Sequence, residues 1–146
     1  MKKIMIVLLA GLALSRVSAE ELTWLTDVPK AVAKAKEENK LVMLDFTGSD
    51  WCGWCIKLHK EVFSKPEFAE YAKKHLVLVE VDFPHTKKLN PELKKANDVL
   101  LAKYKVEGFP TIVVLNAEGK KVGETGYVEG GPKAWLGEFE KKVKKS

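Results

Sequence analysis

Residues 41–55 read LVMLDFTGSDWCGWC, an apolar run that gives way to two cysteines separated by Gly53 and Trp54. Leu41 to Phe46 is apolar except for Asp45, the pattern of a strand covered on both faces. A helical segment follows from about Cys52 to Phe63, so the cysteine pair falls at a strand-to-helix junction. Cys52 then stands at a helix N-terminus, where free N–H groups and the macrodipole favour a thiolate. Helix-terminal and Cys-x-x-Cys settings bring a thiol pKa from about 8.5 down to about 3.5–7.5. Cys55, one turn further in, is expected to be more shielded. An exposed attacking thiol with a shielded resolving thiol is the layout of a redox pair.

Two other uses of the pair stay open. It could be a structural disulfide, although closing so short a loop removes little chain entropy. Alternatively Cys52, Cys55 and His59 could hold copper or zinc, since Cys55 and His59 lie at i, i+4 on one helix face. A closed zinc site wants four ligands, and nothing near in sequence supplies the fourth.

Outward from this centre the chain alternates between helical and strand periods. Upstream, Val28, Ala31, Val32 and Ala35 share one helix face, with Asp27 as N-cap. Downstream, Pro66 opens a helix running to about His75, and Leu76 to Val81 is a second apolar, β-branched run. Asn90-Pro91 starts a helix carrying Leu93, Val99, Leu100, Leu101 and Tyr104. Pro110 to Leu115 is a third strand, Asn116 to Gly119 a turn, and Lys121 to Tyr127 a returning hairpin partner. Gly130-Gly131-Pro132 precedes a last helix with Trp135, Leu136, Phe139 and Val143 on one face. The order predicts one α/β domain with parallel pairing early and an antiparallel edge at the end.

The 146 residues suit one domain, and 46% apolar with 31% charged residues allows a packed core. Two cysteines are too few for a disulfide-knitted scaffold. No apolar run reaches the roughly 20 residues of a bilayer-spanning helix. Residues 1–19 have the form of a secretory signal peptide: Lys2 and Lys3, an apolar stretch from Ile4 to Leu14, then Val17-Ser18-Ala19 before a cut ahead of Glu20. No cysteine near that cut could accept a lipid. The expected mature chain is therefore 20–146, exported to a periplasm or the medium. Without Lys2, Lys3 and Arg16 it keeps 22 basic and 20 acidic residues, a net of +2. The basic residues are all lysines and interleave with glutamates, which makes solvated helix faces, so nucleic acid is not an expected partner.

Leu44-Asp45-Phe46 leading into Trp51-Cys52-Gly53-Trp54-Cys55, with Gly108-Phe109-Pro110-Thr111 some fifty residues on, resembles the thioredoxin superfamily. Within it the chain is most similar to small exported thioredoxin-like proteins with a Trp-Cys-Gly-Trp-Cys centre. The resemblance implies a central mixed sheet of about four to five strands flanked by helices. It implies that Pro110 is a cis-proline opposite the dithiol, with the Phe109 backbone pairing with an extended substrate segment. The alternative is a trans proline that opens a strand. Asp45 matches the family's buried acid beneath the second cysteine, despite one extra residue between acid and motif. Buried there it would have a raised pKa and could accept the Cys55 proton; at a strand end it could instead reach water. Glu80 stands where the family often carries a charge on the neighbouring strand, and so could modulate Asp45.

Trp51 matches the motif tryptophan beside the attacking cysteine. Gly53 and Trp54 form the dipeptide that tunes the potential, with Trp54 replacing the proline of cytosolic reductants. Gly126 matches a groove glycine or marks a β-bulge. His75 and His85 carry no signal of their own. The expected function is an exported thiol–disulfide oxidoreductase, more a reductant or isomerase-type helper than a strong oxidase. It would act on protein thiols and disulfides as a monomer, with no cofactor or metal. Its electrons would come from a membrane-bound thiol reductase. The competing function is a copper- or zinc-holding module built on Cys52, Cys55 and His59.

Overall fold

Five strands form one sheet in the order β1-β3-β2-β4-β5. They are β1 (Trp24–Leu25), β2 (Leu41–Thr47), β3 (Leu76–Asp82), β4 (Thr111–Leu115) and β5 (Lys121–Thr125). The helices are α1 (Val28–Glu38), α2 (Gly53–Leu58), α3 (Pro66–His75), α4 (Pro91–Lys103) and α5 (Gly131–Lys142), and a π-helical turn at His59–Phe63 extends α2. The computed structural model describes residues 21–143. The expected signal segment 1–19 lies outside them. Among the described residues no helix is long and apolar enough to cross a membrane.

Local chemistry sets the helix starts. Asp27 caps α1 by accepting from the Lys30 N–H at 3.0 Å, and Asn90 caps α4 by accepting from Leu93 at 2.8 Å. A proline stands in the first turn of α1, α3, α4 and α5, where its missing N–H costs nothing. Asn39 ends α1 in the left-handed conformation, φ 54°.

Period-two alternation divides the core between the two faces of the sheet. Met43, Leu76, Leu78, Ile112 and Val114 pack with Leu58, Val62, Phe63, Phe68, Trp135 and Phe139 from α2, the π turn, α3 and α5. Val42, Leu44, Phe46, Val77, Val79, Val113 and Leu115 pack with Ala31 and Ala35 of α1 and with Leu100 and Leu101 of α4. Each large apolar side chain buried this way contributes about 1.5–3 kcal/mol. The first face is ringed by aromatics: Trp135 meets Phe63 at 5.4 Å and Phe139 at 5.3 Å between centroids.

Pairing is parallel for β1–β3 and β2–β3 and antiparallel for β2–β4 and β4–β5, as the alternating order predicts. Four details depart from expectation. The two-residue strand β1 was not anticipated, since at that length no alternation exists to read. The segment 52–63 is not one helix, because after Leu58 the turns widen. The Ser64 N–H donates back five residues to the His59 carbonyl. The hairpin partner stops at Thr125, two residues early, and Val99 on α4 faces solvent.

Register fixes where the chemistry sits. Phe46 pairs with Thr111 and Thr47 with Asp82. The loop after β2, the loop after β3 and the Phe109-Pro110 approach to β4 therefore meet at one end of the sheet.

Candidate functional site

Cys52 and Cys55 are joined as a disulfide with their Cα atoms 5.2 Å apart. The sheet delivers Cys52 through a tight turn in which its N–H donates to the Gly48 carbonyl at 2.8 Å. Cys52 is the N-cap of α2, in extended conformation, and its Sγ accepts from the Cys55 N–H at 3.3 Å. This is the helix-terminal position that stabilises a thiolate after reduction. The expected contrast in exposure is absent. In the oxidised form Cys52 is 7% and Cys55 5% exposed. The asymmetry between them is electrostatic, not one of access.

Trp51, 42% exposed, forms one wall. Its Nε1 donates to the Phe83 carbonyl at 2.7 Å, its ring stacks on His85 at 4.2 Å, and it meets Phe109 edge-on at 6.0 Å. Gly48 makes this possible, since a Cβ there would land in the indole. Asp50 secures the loop after β3. Its carboxylate accepts from the backbone N–H of His85, Thr86 and Lys87 at 2.8 Å each and from the Thr86 hydroxyl at 2.6 Å. Those donors, the Thr86 hydroxyl foremost, hold its pKa well below the usual carboxylate range. Ser49 adds a second tie, giving its N–H and hydroxyl to Asp82 at 2.9 and 2.5 Å.

Trp54, 57% exposed, stands on the other side of the disulfide. It packs on Tyr127 at 5.1 Å, with the Lys57 ammonium over both rings at 5.0 and 5.2 Å. The Tyr127 hydroxyl donates to Glu61 at 2.6 Å, which raises the phenol pKa. Gly53 is exposed, and a Cβ there would meet open space.

Asp45 lies on the sheet face that α2 covers. It is half-buried as a residue, but its Oδ1 is sealed from solvent without a hydrogen-bond partner among the described residues. Burial first, and then the charges of Glu80 and Asp82, push its pKa up to about 8. Asp45 and Glu80 are register partners on β2 and β3. Glu80 is also raised, by burial and by Asp82, while Lys87 and His59 pull it down. The sealed Oδ1 favours the buried reading of Asp45 over one that reaches water at a strand end.

The Phe109–Pro110 peptide bond is cis, so Pro110 is not an ordinary trans strand-opener. Phe109 stacks on Phe83 at 5.2 Å. Gly126 follows β5 beside this loop: a Cβ on it would sit 3.3 Å from the Pro110 carbonyl, and its own carbonyl accepts from Trp135 Nε1 at 2.9 Å. Gly126 is not a bulge; the irregularity in that hairpin lies at Val114/Leu115.

The metal reading gathers no support. Among the described residues no three His, Cys, Asp or Glu side chains form a group that could hold an ion, and His59 is exposed and meets the Phe63 ring edge-on. The expectations missed Asp50, Phe83, His85, Tyr127 and the Lys57–Glu61 pair. The only cue was the extra residue between Asp45 and the cysteines, which makes room for the Ser49 and Asp50 ties.

Residues 28–140 match the family described as a thioredoxin-like domain. The chain is 38% identical over 128 residues to the disulfide bond reductase DsbH of Chlamydia pneumoniae, covering 88% of this chain and 76% of that protein. It is 30% identical to the thioredoxin-related protein DsbJ of the same organism, over 85% of this chain but only 37% of that longer protein. Among solved structures, the DsbH oxidoreductase superposes with a TM-score of 0.80 at 38% identity, covering 86% of this chain and 87% of that one.

Proposed function

The chain belongs to the thioredoxin-like domain family, and on that premise we propose that it is a thiol–disulfide oxidoreductase working in the reducing direction on protein disulfides. The observation that carries this is the Cys52–Cys55 disulfide capped on the N-terminus of α2, with a buried, unpartnered carboxyl on the sheet face beneath. Similarity to a disulfide bond reductase over most of both chains supports the direction.

In the reduced protein the Cys52 thiolate attacks one sulfur of a substrate disulfide. A Cys52–substrate disulfide forms and the other substrate sulfur leaves as a thiolate. Cys55 gives its proton to the Asp45 carboxylate and attacks the Cys52 sulfur. The Cys52–Cys55 disulfide forms, the second substrate thiol is released, and two electrons have passed to the substrate. Asp45 suits this part because burial keeps its proton affinity high. Trp51, Gly53, Trp54 and Gly126 shape the surface on which the substrate lies, and the backbone at Phe109, held by cis-Pro110, offers it strand-like pairing.

The signal-like segment 1–19 supports export of a mature protein 20–146 to a periplasm or the medium. A membrane-bound thiol reductase would then return the electrons, and the mature chain would work as a monomer. No organic cofactor enters the cycle, since the dithiol stores the electrons itself. The experiment is turnover: the chain from Glu20, catalytic in amount, is added to a disulfide-linked protein with excess dithiothreitol. The disulfide is expected to open at least about tenfold faster than with dithiothreitol alone, because exchange follows the thiolate fraction. A rate equal to the uncatalysed one overturns the proposal.

A further inference from the structure

Past Trp51 and Phe109 the site runs on into a groove of about 530 Å³ between the loop after β3 and α4. Its inner lining includes Phe83, Pro84, Leu89 and Leu101. This lining is continuous with the redox centre, since Phe83 stacks on Phe109 and holds the Trp51 indole through its carbonyl.

Both signs of charge line this groove, and they are held differently. Its two acids are already engaged: Asp82 is buried and takes both donors of Ser49, and Asp98 pairs with Lys94 at 3.0 Å. Lys87 and Lys88 also line it and are exposed, and among the described residues neither ammonium lies in an ion pair. Their placement is fixed, because Asp50 grips the backbone from His85 to Lys87 with four hydrogen bonds. Asn97 in the lining donates to the Asp82 carbonyl and leaves its buried Oδ1 without a partner. The groove is therefore apolar within, has a spare acceptor in its lining, and carries two exposed lysines outside any ion pair, of which Lys87 also lowers the pKa of Glu80.

We propose that this groove binds the stretch of a protein substrate adjoining its reacting cysteine, and that it selects an apolar side chain followed within a few residues by Asp or Glu. The proposal rests on the thiol–disulfide function above and adds the substrate preference. A polypeptide is the occupant because the groove opens beside Cys52, where the flanks of any protein disulfide under attack must lie. The apolar residue fills the space between Phe83 and Leu101, and the carboxylate meets Lys87 and Lys88. Exposed pairs are individually weak and screened by salt, so the preference is modest and ionic-strength dependent.

The test uses two blocked peptides, each with one cysteine held as a mixed disulfide with 2-mercaptoethanol. One continues Cys-Leu-Asp-Glu and the other Cys-Leu-Lys-Lys. The reduced protein attacks this disulfide; its dithiol becomes the Cys52–Cys55 disulfide, and the peptide and 2-mercaptoethanol leave as thiols. At 20 mM salt the acidic peptide is expected to be reduced about fivefold faster, with the ratio falling towards one at 500 mM. Lys87→Glu/Lys88→Glu should invert the ratio, while Lys36→Glu/Lys120→Glu, at the far end of the sheet, should preserve it. Both variants should keep the wild-type urea midpoint, which shows that they are folded. Equal rates for the two peptides at low salt, or the same change in both variants, overturn the groove preference. Failure of the wild type to reduce bis(2-hydroxyethyl) disulfide overturns the oxidoreductase function itself, and the preference with it.

Discussion

Cys55→Ser is expected to capture substrates and fail to release them, whereas Cys52→Ser captures nothing. Both variants lose turnover by at least about 10³-fold, equivalent to about 4 kcal/mol of barrier. They differ in what accumulates. With Cys55 replaced, the first exchange still proceeds and the Cys52–substrate disulfide persists, visible as a covalent adduct by mass and on a non-reducing gel. With Cys52 replaced, the remaining thiol lies inside α2 without the N-cap position that favours its anion. The experiment is sharper here than in a site with one exposed sulfur, because the two cysteines differ by only 2% in exposure. If access decided the order of attack, the variants would trap comparable amounts of adduct. Adduct on Cys52→Ser equal to that on Cys55→Ser would remove the assignment of attacker and resolver.

Asp45→Asn is expected to make the protein more stable and less active. The folded pKa of about 8 lies above the unfolded value. Between about pH 4 and pH 8 the native state therefore binds more protons than the unfolded chain, and stability falls as pH rises through that window. The cost is absent below about pH 4 and complete above about pH 8. At about 1.4 kcal/mol per pH unit the full window bounds the effect at about 6 kcal/mol, and relaxation around the carboxylate reduces it to about 2–3 kcal/mol. Urea unfolding of the oxidised proteins should show Asn more stable by that amount at pH 8 and the two equal at pH 4. The resolving step should slow by about 10²-fold at pH 7, since the amide takes no proton. The deficit should narrow as pH rises and Cys55 ionises unaided. A resolving rate unchanged across pH 6–9 would remove Asp45 from the mechanism.

Most of the fold was legible because its signals are periodic or punctuated. β2, β3 and β4 are largely apolar runs, α1 repeats alanine and valine on one face, and four helices carry a proline in the first turn. β1 was not legible: two residues, Trp24 and Leu25, carry no period, and they form a strand only because β3 offers an open edge. The split of the helix after Leu58 was equally hidden, since it depends on how the chain must turn to reach α3. Within the site, the cysteines, Asp45 and Pro110 stand inside local patterns that chemistry makes unusual. Asp50 and His85 do not. Asp50 acts on backbone 35 to 37 residues away, and His85 becomes part of the Trp51 wall only through that grip. The low exposure of Cys52 was not legible either, because helix position bears on the charge of a thiol and not on how far it is covered.

The claim that this dithiol donates electrons to protein disulfides is tested most directly by its reduction potential. The chain from Glu20, free of metal, is equilibrated with graded reduced and oxidised glutathione, and the Cys52–Cys55 pair is quantified after acid quenching and thiol alkylation. A single two-electron transition at a potential below about −220 mV, towards the −270 mV of thioredoxin, is the predicted result. A transition near about −120 mV, the range of a strong oxidant, or no reversible transition at all, would contradict it.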